Sequence, residues 1–296
     1  MKTALRGMFV PIVTPFNEDQ SINFDSLRKC IDFVIDGGLD GILISGSTGE
    51  YHTMSLDEQK EVIRVGLEQT AGRVPVLAGV GCYTAKDTVE LANFAADCGA
   101  EWGLVLPPYY QPTTEEEVKN FFIEIADNSR VGIVIYNNPL ATGVELAPEL
   151  IAELAEHENI VSLKDTSDMI HTSETIALTR NNENFTVFQG YEHTILPALS
   201  IGAEGGFAIL MNALPKEYAL MYELFKDGRQ EEATELCMSM AKLYTAMEAE
   251  PYPAPVKAMM EMLGVPGGIC RKPLPVASDE LKASMKEELI KLGYDL

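Results

Sequence analysis

Asn159-Ile160-Val161-Ser162-Leu163-Lys164-Asp165-Thr166 begins as a buried strand and ends on a lysine. Its β-branched and apolar residues crowd together between polar flanks, the pattern of a short strand covered on both faces. A lysine closing such a strand needs an account, because an ammonium removed from water must be paired or give up its proton. A neutral amine in a dry pocket is a nucleophile toward ketones and aldehydes. A strand-end lysine whose head reaches water is the bland alternative.

Similar apolar runs lie on both sides of this stretch: Met8–Val13, Gly41–Ser45, Val74–Val80, Trp102–Leu106 and Val131–Tyr136 before it, Phe185–Gln189 and Gly205–Leu210 after it. Helical periodicity and capping residues place helices at Phe24–Ile35, closed by Gly37-Gly38, and from Ser55 to Gln69. Others are expected at Thr84–Asp97, Thr114–Asp127, Ala147–His157 and Thr194–Ile201; none is assigned between the lysine strand and Phe185. Strands that are apolar throughout indicate a parallel sheet covered on its outside. Eight such units in succession favour a closed α/β barrel, the (β/α)8 TIM barrel, although alternation alone leaves a doubly wound sheet open. No G-x-G-x-x-G follows the first strand and no G-x-x-x-x-G-K-[ST] occurs, so nucleotide-binding fingerprints are absent. Beyond Leu214 only helices are expected, at Leu214–Phe225, Gln230–Met247, Ala254–Leu263 and Ser278–Leu292. The expected organisation is a barrel over residues 1–225 and a C-terminal helical extension over 226–296, in a single structural unit.

Forty-five acidic against 22 basic residues give a net charge of −23, which argues against nucleic acid or an anionic membrane as partner. No apolar run reaches the roughly 18–20 residues of a membrane span. Met1-Lys2-Thr3-Ala4-Leu5-Arg6 lacks a signal peptide's apolar segment, so a cytoplasmic protein is expected. The five cysteines are scattered without a C-x-x-C, and the four histidines show no H-x-x-x-H spacing. Neither a disulfide framework nor a metal site is expected.

In a barrel of this kind reactive groups gather where the strands end. The second strand is followed by Gly46-Ser47-Thr48-Gly49-Glu50, with two hydroxyls and backbone N–H groups able to face an anion. Pro107-Pro108-Tyr109-Tyr110 follows the fourth, Tyr136-Asn137-Asn138-Pro139 ends the fifth, and Lys164 ends the sixth. Taken in this order, the motifs resemble the dihydrodipicolinate synthase / N-acetylneuraminate lyase family. The likeness runs from Pro11-Ile12-Val13-Thr14-Pro15-Phe16 to Pro255-Val256-Lys257.

The resemblance implies a Schiff-base (class I) lyase or aldolase acting on pyruvate-derived 2-oxo acids, without cofactor or metal, assembled as a homotetramer (a dimer of dimers). It implies Lys164 as the imine-forming nucleophile and Tyr136 as general acid/base. Thr48, with Tyr110 from a neighbouring subunit, would complete a hydroxyl relay. Ser47 and Thr48 would hold the substrate carboxylate, with Thr166, Gly190, Glu192 and Phe207 also lining the substrate.

Departures from the family pattern narrow the reaction. The synthase branch usually carries an arginine where Ala141 stands here, and alanine cannot clamp a carboxylate. The sialic-acid lyase branch usually has Asp-Glu at Glu192-His193 and a serine at Ile209. The expectation is therefore a lyase for a 2-keto-3-deoxy sugar acid or a sialic-acid-like substrate, releasing pyruvate and an aldehyde. The alternatives are 4-hydroxy-tetrahydrodipicolinate synthase, or a non-catalytic 2-oxo acid-binding homologue. His193 is a candidate for the substrate tail, weighed against a surface position at a helix start.

Overall fold

The computed structural model describes residues 5–296. Among them, eight parallel strands close into a barrel in chain order. These are β1 (Gly7–Pro11), β2 (Gly41–Ile44), β3 (Val76–Gly79), β4 (Trp102–Val105), β5 (Gly132–Asn137), β6 (Ile160–Asp165), β7 (Thr186–Gln189) and β8 (Gly205–Phe207). The fold is the (β/α)8 barrel, and the doubly wound sheet is excluded.

The helices covering the strands are α1 (Phe24–Asp36), α2 (Leu56–Thr70), α3 (Ala85–Asp97), α4 (Glu115–Asn128), the single turn α5 (Pro139–Thr142), α6 (Pro148–Leu154), α7 (Met169–Thr179), α8 (Ile195–Ser200) and α9 (Pro215–Lys226). Beyond them lie α10 (Gln230–Ser239), α11 (Ala241–Glu248), α12 (Ala254–Met262) and α13 (Asp279–Lys291). Where a cap was legible the helix starts there. Ser55 and Glu58 form a reciprocal capping box on α2, and Thr114 and Glu117 form one on α4.

Three local expectations differ from the structure. The helix α7 lies between β6 and β7, where none was assigned; its Met-Ile-His-Thr-Ser-Glu-Thr start is poor in strong helix formers. The Asp168 side chain compensates, accepting the N–H groups of Ile170 and His171 at 2.9 Å each. The expected helix Gln230–Met247 is broken at the fully buried Met240, so that α10 packs on α9 while α11 packs on α12 and α13. The eighth strand stops at Phe207, and Leu210–Asn212 form a 3-10 turn. The buried Asn212 explains that turn: its Nδ2 donates to Pro11 O and Ile209 O, and its Oδ1 accepts from Val13 N.

The chain resolves into two compact units. One, residues 5–7 and 75–207, carries β3 to β8; the other, residues 8–74 and 208–296, carries β1, β2 and the C-terminal helices. Inside the first unit, Ser162 Oγ donates to Thr186 O and receives the Thr186 hydroxyl, each at 2.9 Å. This satisfies both buried hydroxyls.

The second unit is tied together by a buried ion pair. Lys257 on α12 meets Glu50, in the turn after β2, and both side chains are almost wholly excluded from water. Lys257 Nζ also donates to Thr14 O at 2.7 Å and Ile269 O at 2.8 Å, while Glu50 Oε2 accepts Arg271 N at 2.8 Å. The Arg271 guanidinium forks onto Glu58 and stacks 4.5 Å from the centre of the Phe16 ring. Every proton of the Lys257 ammonium is thereby used, the condition under which a buried pair can persist. Removing one partner strands the other charge, so Lys257→Met is expected to cost about 3–5 kcal/mol in urea unfolding. Combining it with Glu50→Gln should recover part of that loss.

Candidate active site

Parallel pairing sets Tyr136 beside Lys164 and Lys164 beside Phe188; one residue on, it sets Asn137 beside Asp165 and Asp165 beside Gln189. Because successive side chains alternate across a strand, the first row faces one side of the sheet and the second row the other. Lys164 is only 6 % exposed. Its Nζ lies 4.1 Å from the centroid of the Tyr136 ring and 5.1 Å from that of Phe207. Among the described residues no carboxylate pairs with it.

The Tyr136 phenol is buried and accepts the Asn138 amide at 2.9 Å. Burial pushes its pKa up, but the neighbouring Lys164 charge and the hydrogen bonds to the phenol outweigh that, leaving it below the ordinary tyrosine value. The Thr166 hydroxyl is buried nearby without full hydrogen-bond geometry to any partner. Gly190 is what leaves it room: a Cβ there would stand 2.0 Å from Thr166 Oγ1. Lys164, Tyr136, Thr166, Gly190 and Phe207 are thus all found at the carboxyl ends of β5 to β8. Glu192 is buried in the 3-10 turn after β7, whereas His193 is exposed. Tyr110 is 87 % exposed, in a left-handed backbone conformation with φ of 81°.

The opposite row was not singled out from the sequence. Asp165 Oδ1 accepts from Asn137 at 2.8 Å and Ser167 at 2.7 Å. Its Oδ2 accepts from Thr172 at 2.7 Å and faces His171 Nδ1 at 2.9 Å. His171 Nε2 faces Leu146 O at 2.7 Å, so both ring nitrogens meet acceptors and the imidazolium fits best. Burial opposes that charge, but the Asp165 carboxylate and the Leu146 carbonyl raise the His171 pKa to about 9. The Asp165 carboxyl is likewise held below its usual range: burial opposes, and His171, Ser167 and Asn137 prevail.

Ser47 and Thr48 belong to the second unit, in the turn after β2. Ser47 is half-buried and Thr48 buried, and the Tyr252 phenol donates to Thr48 Oγ1. Two non-glycine residues frame the turn in the left-handed region, Ser45 at φ 59° and Glu50 at φ 57°. Such strain costs on the order of 1–3 kcal/mol a residue and persists only where packing holds it. Here the Glu50–Lys257 pair holds one end. Tyr252, like Asp165 and His171, carried no motif in the sequence.

A model of the dihydrodipicolinate synthetase family matches residues 4–292. The chain belongs to this family. It is 38 % identical over 289 residues to 4-hydroxy-tetrahydrodipicolinate synthase of Methanothrix thermoacetophila, covering 97 % of each chain. A crystal structure of dihydrodipicolinate synthase from Aquifex aeolicus superposes with a TM-score of 0.92 at 32 % identity, covering 98 % of both chains. A prophage protein of the dihydrodipicolinic acid synthase family from E. coli K12, in complex with pyruvate, gives 0.94 at 28 % identity, covering 98 % of this chain and 99 % of that one. This chain is therefore a Schiff-base lyase of the family. No helix among the described residues is long and apolar enough to cross a membrane.

The Asp165–His171 pair makes a pH prediction. A group whose folded pKa is raised stabilises the fold fully below its unfolded value, here the ordinary 6.5, and that contribution is lost as pH rises through about 9. The lowered Asp165 contributes above the ordinary 3.8 and fails as pH falls below it. The stability difference between the wild type and His171→Asn, measured by urea unfolding, is expected to be largest between pH 3.8 and 6.5 and to shrink as pH rises from 6.5 to about 9. A difference that does not change from pH 6 to pH 10 would refute the charged pair.

Proposed function

We propose that the protein catalyses carbon–carbon bond chemistry on pyruvate through an imine at Lys164. The observation that carries this reading is the Lys164 amine, buried with no carboxylate to hold its charge and set against the Tyr136 phenol. The neutral amine adds to C2 of pyruvate. The resulting carbinolamine then breaks its C2–O bond, the oxygen leaving as water with a proton supplied by Tyr136. The protonated imine draws electrons from C3; losing a C3 proton gives an enamine that attacks an aldehyde carbon, and the reverse sequence cleaves that bond. Phe207 covers one side of the amine, and Gly190 leaves space beside Thr166 for the bound acid. On the family resemblance, Ser47 and Thr48 take the carboxylate, Glu192 the distal part of the substrate, and the assembly is a homotetramer.

The relatives' names support aspartate semialdehyde as the second substrate, making 4-hydroxy-tetrahydrodipicolinate synthesis the first reading. One residue favours a second reading, release of pyruvate from a 2-keto-3-deoxy sugar acid or a sialic-acid-like substrate. The position that would clamp the semialdehyde carboxylate is Ala141, exposed on α5. The other arginines of its unit are engaged or placed elsewhere: Arg6 with Glu204, Arg130 with Asp97, and Arg180 at the far end of α7.

Incubation with pyruvate, borohydride reduction and peptide mass spectrometry should locate a reduced adduct on Lys164; its absence would sink the imine mechanism. Condensation of pyruvate with aspartate semialdehyde by the unmodified protein supports the first reading. Pyruvate release from deoxy sugar acids or sialic acids, with no condensation, supports the second. In that case Ala141→Arg should raise condensation about 10- to 100-fold, as a charge-assisted bidentate contact implies.

A further inference from the structure

The Tyr136 phenol has a partner in its own unit to which the family resemblance assigns no role. Asn138, half-buried just after β5, uses both ends of its side-chain amide. Its Nδ2 donates to the Tyr136 phenol oxygen at 2.9 Å, and its Oδ1 accepts Ala141 N at 3.3 Å as the cap of α5. A flipped amide would set an N–H against the Ala141 N–H, so the cap fixes which end meets the phenol. The turn is itself pinned. Ala141 N and Thr142 N reach Asn138 O at 3.1 and 3.0 Å. Leu146 N donates to Asn137 Oδ1 at 3.1 Å and Leu146 O faces His171, which ties both flanks of α5 to the Asp165 cluster. The titratable group facing the phenol is the Lys164 amine, and the Thr166 hydroxyl faces it as a neutral group; both stand at the carboxyl end of β6.

We propose that Asn138 is a positioning residue for Tyr136, turning the phenol proton toward the substrate and stabilising the phenolate that remains once that proton has left. An oxygen that accepts the amide N–H must aim its own O–H elsewhere, and its other neighbours are Lys164 and Thr166, where the imine would form. When the carbinolamine on Lys164 breaks its C2–O bond, the Nζ lone pair becomes the second C–N bond. The oxygen leaves as water with the Tyr136 proton. The phenolate then carries a full charge in a buried place, and a donor on a charged oxygen is worth more than the same donor on the neutral phenol. Tyr136 recovers its proton when water adds to the imine carbon and gives a proton to the phenolate. Asn138 neither gains nor loses a proton, and no further reactant is consumed. The Tyr136 pKa agrees in direction: burial raises it, and Lys164 followed by the Asn138 donor brings it down. The proposal rests on the Lys164 imine reading.

Asn138→Ser separates the donor from the cap, because a serine hydroxyl still accepts Ala141 N but is too short to reach the phenol. Fluorotyrosine incorporated in place of Tyr136 alone reports the phenol titration through its fluorine NMR shift, with no substrate present. Between matched proteins, Asn138→Ser is expected to raise that pKa by about one to two pH units, the size of a hydrogen bond to a charged group. Asn138→Asp also keeps the cap but sets a carboxylate against the phenol, so it should raise the pKa further. With the natural Tyr136 in place, exchange of the pyruvate methyl protons in D2O requires imine formation, loss of a C3 proton and hydrolysis, but no second substrate. Its maximal rate, followed by NMR, should fall about 10- to 100-fold in Asn138→Ser, with KM for pyruvate little changed. An unmoved pKa in Asn138→Ser overturns the proposal whatever the exchange rate, and so does a raised pKa with exchange at the wild-type rate. If the wild type traps no borohydride-reduced adduct on Lys164, the imine reading has failed and this proposal falls with it. An adduct in the wild type with an unmoved pKa in Asn138→Ser rejects the proposal alone.

Discussion

The register between β5 and β6 is the constraint on which the rest depends. It sets Tyr136 beside Lys164 and, one residue later, Asn137 beside Asp165. Alternation sends the first pair to one face and the second to the other. One face carries an amine and a phenol. The other carries a carboxylate fully occupied by Asn137, Ser167, Thr172 and His171. A slip of one residue in either strand would exchange the faces and destroy both. The Asp165 cluster therefore fixes the ends of these strands and, through them, the position of Lys164. It also extends this control to α7 and to Leu146, which His171 joins through its second nitrogen.

Much of this architecture was legible because barrel strands are covered on both faces and must be apolar along their length. The runs around Val134, Leu163 and Val187 stand out for that reason, and the residues that break the apolar pattern at their ends, Tyr136 and Lys164, stand out with them. Helices with a hydroxyl cap and an acidic third residue, such as α2 and α4, were readable from local chemistry. The helix α7 was not. Its threonines and histidine bond backward to Asp165 or to their own turn, so tertiary contacts rather than propensity make it a helix.

The site was legible where each residue announces its own chemistry and hidden where chemistry depends on a distant partner. Ser47, Thr48 and Lys164 sit at strand ends, a position that can be counted along the chain. The Glu50–Lys257 pair spans 207 residues and the Tyr252–Thr48 contact 204, and neither has a local pattern to betray it. Glu50 shows the consequence. It closes Gly46-Ser47-Thr48-Gly49-Glu50, yet its carboxylate points to Lys257 and Arg271 N, so it holds the turn in shape.

Three buried cationic side chains give the comparison that separates structure from chemistry. Lys257 has a carboxylate and two carbonyls; His171 has a carboxylate and one carbonyl. Both are satisfied as far as their protons allow, which is what a charge buried for stability requires. Lys164 is equally buried but faces two aromatic rings. Aromatic faces return only about 0.5–2 kcal/mol to a cation, less than full desolvation costs it. A protein that surrounds two of its buried cations with acceptors and leaves the third facing a phenol is not using the third to hold itself together.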